Sequence, residues 1–154
     1  MLYTPELSST NTTNSPTLYI IYNASSTLLG KLNYVYRKQT CPDPSTNPAC
    51  AACELTHGPS LSLRESSEWK TTKAHIKQAN IAQVHTDERP ASLAQWMDRE
   101  RVSAPAVVVE TQPSDFRMLV SSEELAQVSH DHREFLTLLR ARVGEMGFAG
   151  VVVE

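Results

Sequence analysis

A chain of 154 residues with a formal net charge of −3, from 14 Lys and Arg against 17 Asp and Glu, has room for one domain and a core that needs neither disulfides nor metal to hold it. The balance is slightly acidic and contains no dense basic run, which argues against a nucleic-acid partner. No apolar run approaches the roughly 20 residues of a membrane span, and the N-terminus lacks a basic-then-apolar secretory pattern, so a soluble cytoplasmic protein with no membrane partner is expected.

Residues 1–16 are rich in Ser, Thr, Asn and Pro without periodicity and read as a flexible leader. Leu18-Tyr19-Ile20-Ile21-Tyr22 follows as a short strand apolar on both faces, running through Asn23 into Ser25 or Ser26 as the cap of a helix. That helix is expected from Ser26 to about Lys38, with Leu28, Leu29, Leu32, Val35 and Tyr36 as its inner stripe. From Gln39 to about Gly58 the composition turns to Pro, Cys, Asn and Ala, and Pro42, Pro44 and Pro48 forbid regular helix over most of it. Within this loop, Cys50 to Leu55 can form a turn or two of helix before His57-Gly58-Pro59 ends it.

Ser66 or Ser67 caps an expected helix from Glu68 to Asn80, with Trp69, Ile76 and Ala79 buried. Ile81 to His85 reads as a strand, and Ser92 as the cap of a helix that turns Leu93, Trp96 and Met97 inward. Val102-Ser103-Ala104 lead into Pro105, then Ala106 to Val109 form a central strand. A turn at Gln112-Pro113-Ser114-Asp115 returns the chain as Phe116 to Val120, a hairpin. Ser121 and Glu124 make a capping box for one long helix to about Val143, with Leu125, Val128, Phe135, Leu136 and Leu139 inward. Gly144, Gly147 and Gly150 interrupt the pattern. Val151 to Val153 is open between a short strand, a packed tail and an oligomer contact. No repeats are present.

With the cysteine loop and its following helix (39–66 and onward) taken as an insertion, this order resembles the thioredoxin fold over residues 17–143, leaving 144–154 as a tail. Two segments carry the resemblance. Val102-Ser103-Ala104-Pro105-Ala106-Val107-Val108 is similar to the thioredoxin stretch in which a cis-proline opens the third strand. Tyr22-Asn23-Ala24-Ser25-Ser26-Thr27-Leu28-Leu29 is similar to the first-strand junction, which carries a Tyr-Asp-Gly-Asp-Cys-x-x-Cys signature in the DCC-type thiol oxidoreductases. By that alignment Ser26 and Leu29 stand where the cysteines would be, and a Ser and a Leu cannot cycle through a disulfide. Tyr22-Asn23-Ala24-Ser25 with the later Cys50-Ala51-Ala52-Cys53-Glu54-Leu55-Thr56 is also similar to small uncharacterised microbial proteins with a Tyr-Asn-Ala-Asp start and a Cys-x-x-Cys. The implied class is α/β and thioredoxin-like, a central mixed sheet of about four strands flanked by helices.

Three groups of residues are candidates for chemistry. Cys41, Cys50 and Cys53 all fall in one Pro-rich stretch, an odd number that in a reducing compartment points to reactive or metal-binding thiols. In the first reading Cys50 is the nucleophile, Cys53 resolves the mixed disulfide and His57 tunes the thiolate, with a small-molecule or protein thiol as substrate and no cofactor. In the second, Cys41, Cys50, Cys53 and His57 hold zinc in a non-catalytic or partner-binding module; in the third, the loop is structural or incidental and carries no chemistry. The second group is the strand-end pocket of Tyr22, Asn23, Ser25, Ser26 and Pro105, which can orient a small substrate in a cofactor-free enzyme. Ser26 acting only as a helix cap competes with that role. The third, His130-Asp131-His132 with His85 and Asp87, reads as a solvated helix face, because adjacent helical residues point apart. His75 reads as a surface or boundary residue of a helix. The oligomeric state is not fixed by the sequence.

Overall fold

The computed structural model describes residues 15–23, 51–57, 65–147 and 151–154. Residues 1–14 of the expected leader (1–16), the helix from Ser26 to Lys38 and the loop up to Cys50 lie outside them. In chain order the elements are β1 (Thr17–Ile21), α1 (Ala51–His57), α2 (Ser67–Ala74), β2 (Ile76–Lys77), β3 (Asn80–Val84), a 3-10 turn (Thr86–Glu88), α3 (Ala91–Glu100), β4 (Ala106–Gln112), β5 (Asp115–Val120), α4 (Ser122–Val128), α5 (His132–Met146) and β6 (Val152–Val153).

The principal sheet is mixed, in the order β3-β1-β4-β5. β1 runs parallel to β3, with Ile21 opposite Val84, and antiparallel to β4, with Ile21 opposite Ala106. β4 and β5 form the expected antiparallel hairpin. The alternation of a strand divides the core in two. Leu18, Ile20 and Tyr22 of β1 and its end join Val107 and Val109 of β4 in one cluster, covered by Trp69, Leu125, Phe135 and Leu139 from the helices. Tyr19 and Ile21 join Ala106, Val108 and Phe116 on the other face, where Leu93 and Met97 of α3 close over them. A run such as Leu18 to Ile21 is apolar throughout because both faces are covered.

Several expected boundaries are corrected. The helix expected from Glu68 to Asn80 begins as read, with Ser66 Oγ accepting from the Trp69 N–H at 3.1 Å, but stops at Ala74. Ile76 is buried as a strand residue, paired with Val153 of β6 in a second, two-stranded sheet, so a tertiary pairing overrides the helical pattern. Within the Val151–Val153 tail, Val152–Val153 is thereby a strand. Ser92 is not a cap, since Pro90 occupies the N-cap position and Ala91 starts α3. The single helix expected from Ser121 to Val143 is two helices. Asp131 caps the second, accepting from the Arg133 and Glu134 N–H groups at 3.0 and 3.2 Å. Gly144 lies inside α5, and Gly147, at φ 65°, ends it in the left-handed conformation that glycine takes without penalty.

The capping box is present: Ser121 Oγ accepts from the Glu124 N–H at 3.2 Å, and the Ser121 N–H donates to Glu124 Oε1 at 3.2 Å. Ser121→Ala is expected to lose about 1 kcal/mol of stability by chemical denaturation. An unchanged midpoint would show that the Arg142–Glu124 ion pair holds this helix start without the cap.

Candidate functional site

The candidate site lies at the carboxyl end of β1. Parallel pairing brings the residue after β3 next to the residue after β1, so His85 stacks on Tyr22 with ring centroids 4.9 Å apart and planes at 30°. On the other side, Ile21 faces Ala106, which puts Pro105 beside the Tyr22 position. The Ala104-Pro105 peptide is cis, and Pro105 is buried. His85 is held from behind by Glu88, whose Oε1 accepts from the His85 N–H at 2.9 Å and also meets His85 Nδ1. The backbone bond first, and the imidazole second, keep the Glu88 carboxyl below its ordinary range.

α1 packs against α2 and α4 and brings the cysteine segment to the same place. Thr56, fully buried, accepts a hydrogen bond from the Tyr22 hydroxyl at 3.0 Å, and the His57 ring lies 5.9 Å from the Tyr22 ring. Cys53 is in the same buried cluster as Tyr22. Its Ala51, Ala52 and Leu55 neighbours are buried with it.

Donor and acceptor capacities give this network one direction. Trp69 Nε1 and Lys73 Nζ can only donate, and both reach Gln83 Oε1, at 3.3 and 3.2 Å. Gln83 Nε2 then donates to the Tyr22 oxygen at 2.8 Å, and Tyr22 to Thr56. Thr56 gives its one proton to the Ala52 carbonyl oxygen at 2.9 Å. His57 Nδ1, 2.6 Å from Thr56 Oγ1, is therefore the donor in that pair. Glu65 closes the far end on Lys73 at 2.8 Å. Burial raises the Glu65 carboxyl, but the hydrogen bonds and charge of Lys73, with lesser help from Gln83 and Lys70, outweigh it and leave it lowered.

Burial pushes the Tyr22 phenol up to about 12, against the opposing hydrogen bond accepted from Gln83 and with added repulsion from Cys53 and Glu65. A raised phenol pKa means that the folded state holds its proton where the unfolded state has lost it. Its stabilising share is complete below the unfolded value of 10.0 and disappears as pH rises toward 12. The expected loss is roughly 2–3 kcal/mol across that window. Tyr22→Phe should remove this component from the stability-pH profile, leaving the smaller one from Tyr19, which is also raised by burial and then by Glu110. Denaturation at pH 9 and pH 11.5 measures it, and an identical fall in both proteins would contradict it.

Of the residues singled out from sequence, the structure brings together Tyr22, Cys53, His57 and Pro105, with half-buried Asn23 next to Tyr22. Ser25, Ser26, Cys41 and Cys50 lie outside the described residues. Among the described residues no group of three His, Cys, Asp or Glu side chains could hold a metal ion, and no helix is long and apolar enough to cross a membrane. The solvated-face reading of His130-Asp131-His132 is corrected. His130 is exposed, but Asp131 is a helix cap, and His132 is half-buried, its Nε2 donating to the Leu55 carbonyl oxygen at 2.9 Å and its Nδ1 3.0 Å from Thr72 Oγ1. Sequence reading missed Thr56, Gln83, Lys73 and Glu65. No local pattern marks them, and only the register places Gln83 on the Tyr22 face. Searches against protein-family models, curated proteins and solved structures found no match for the chain.

Proposed function

We propose that this is a thioredoxin-like domain whose thiol chemistry resides in Cys50 and Cys53 rather than at the first helix after β1. The observation that carries the reading is the docking of α1: the helix that follows Cys50 and contains Cys53 sits at the carboxyl end of β1, tied by Thr56 to Tyr22. The sheet order supports the thioredoxin-like part, with a parallel β1–β3 pair, an antiparallel β4 opened by Pro105, and a β5 hairpin.

In this mechanism the Cys50 thiolate attacks a substrate disulfide, forming a Cys50–substrate disulfide and releasing the first substrate sulfur as thiolate. Cys53 loses its proton and attacks the Cys50 sulfur, releasing the second substrate thiolate. Two electrons have then passed from the cysteine pair to the substrate, and an external dithiol restores them. The nucleophile must meet an outside molecule, whereas the resolving thiol need only reach its neighbour. The burial of Cys53, 9% exposed, suits the second role. His57, a donor at Nδ1 to Thr56, is placed on the same helix to favour negative charge on sulfur.

Differential alkylation with intact-mass analysis tests this. After equilibration with oxidised glutathione, peptide mapping should find a Cys50–Cys53 disulfide that a dithiol reverses. Two fully alkylated thiols after the same treatment would overturn the reading. Zinc in the purified protein that departs with Cys50→Ser would establish the metal-binding alternative instead.

A further inference from the structure

We infer that the groove between α2 and α5 binds a small oxyanion ligand, a molecule bearing phosphate or carboxylate groups. The groove lies apart from the Tyr22 network and encloses about 490 Å³, within the range of small-molecule pockets. One wall is the last turns of α2, where Thr71 and His75 stand four residues apart on one helix face. The other is α5, where Arg133, Thr137 and Arg140 recur at four- and three-residue spacing. Leu136 gives an apolar surface for the carbon part of a ligand, and Thr72, His132 and Glu154 complete the lining.

Its charge pattern selects the ligand. Arg133 makes no side-chain hydrogen bond or ion pair among the described residues, and Arg140 uses only Nε, donating to the Val153 carbonyl oxygen at 3.1 Å. Among the described residues nothing occupies the outer guanidinium nitrogens of either, and these can meet the paired oxygens of a carboxylate or phosphate, the geometry that guanidinium matches best. His132 is fixed in place by Leu55 and Thr72, so part of the wall is organised before any ligand arrives. Glu154 adds one opposing carboxylate.

Titration of the full chain with inorganic phosphate and, separately, with citrate, at constant ionic strength set by sodium chloride, reads this by amide chemical shifts. At least one of the two should saturate, with shifts centred on residues 71–75 and 132–140. Which one saturates identifies the headgroup. Arg133→Ala, which removes no bond within the described residues, should weaken binding at least about tenfold, the loss of one good charge-assisted pair. Glu154→Gln should tighten it, and Arg99→Ala on α3 should leave it unchanged. No saturation by either anion, wild-type affinity in Arg133→Ala, or weaker binding in Glu154→Gln overturns the inference.

Discussion

Replacing Cys50 by serine is expected to abolish disulfide exchange, whereas Cys53→Ser should leave the chain covalently caught on its substrate. The asymmetry follows from the division of labour proposed above. Without the nucleophile no mixed disulfide forms, because a serine hydroxyl stays protonated where a thiol ionises. Without the resolver the first step proceeds and the second does not. Reaction with a disulfide-bearing peptide, followed by non-reducing intact-mass analysis, should show no adduct for Cys50→Ser, a stable adduct for Cys53→Ser, and only a transient one for the unaltered chain. An equal adduct on Cys50→Ser and the unaltered chain would refute the assignment. Because Cys53 lies in the core, its folding must be checked separately, and serine adds a buried hydroxyl there.

The largest stability effect is expected at Trp69. Its side chain is fully buried, with the Phe135 ring at 6.0 Å and the His132 ring at 6.2 Å, both edge to face, and its Nε1 donates to Gln83. Trp69→Ala removes this packing and leaves a cavity, at an expected cost of about 3–5 kcal/mol in urea unfolding. Against the ~5–15 kcal/mol of a typical domain, that is a large share of the whole. Trp69→Phe keeps a ring but deletes the N–H, and should cost less. If Trp69→Ala shifted the midpoint no more than Ser121→Ala, this side of the sheet would not be the principal core.

What the sequence made legible follows the range of the forces involved. β1, β3, β4 and β5 were readable because apolar runs and turn residues are local, and both faces of β1 are covered by helices. The premature end of α2 was not, since Ile76 leaves the helix to pair with Val153, which is distant in sequence. The break at Asp131 had a local signal, a capping residue in mid-pattern, that the continuous apolar spacing of Leu125, Val128 and Phe135 concealed. Tyr22, Cys53 and His57 could be singled out by residue type. The meeting of Tyr22 with Gln83 and His85 depends on the β1–β3 register, and that of Tyr22 with Cys53 and His57 on the docking of α1; no local pattern specifies either.

The placement of β1 between two later strands has a consequence during synthesis. Its partners, Asn80–Val84 and Ala106–Gln112, are translated well after Thr17–Ile21. At ~5–20 residues per second, a nascent chain must carry this greasy segment without a neighbour for several seconds. Holdase chaperones that shield emerging hydrophobic stretches should therefore influence the yield of native protein more strongly than its final stability.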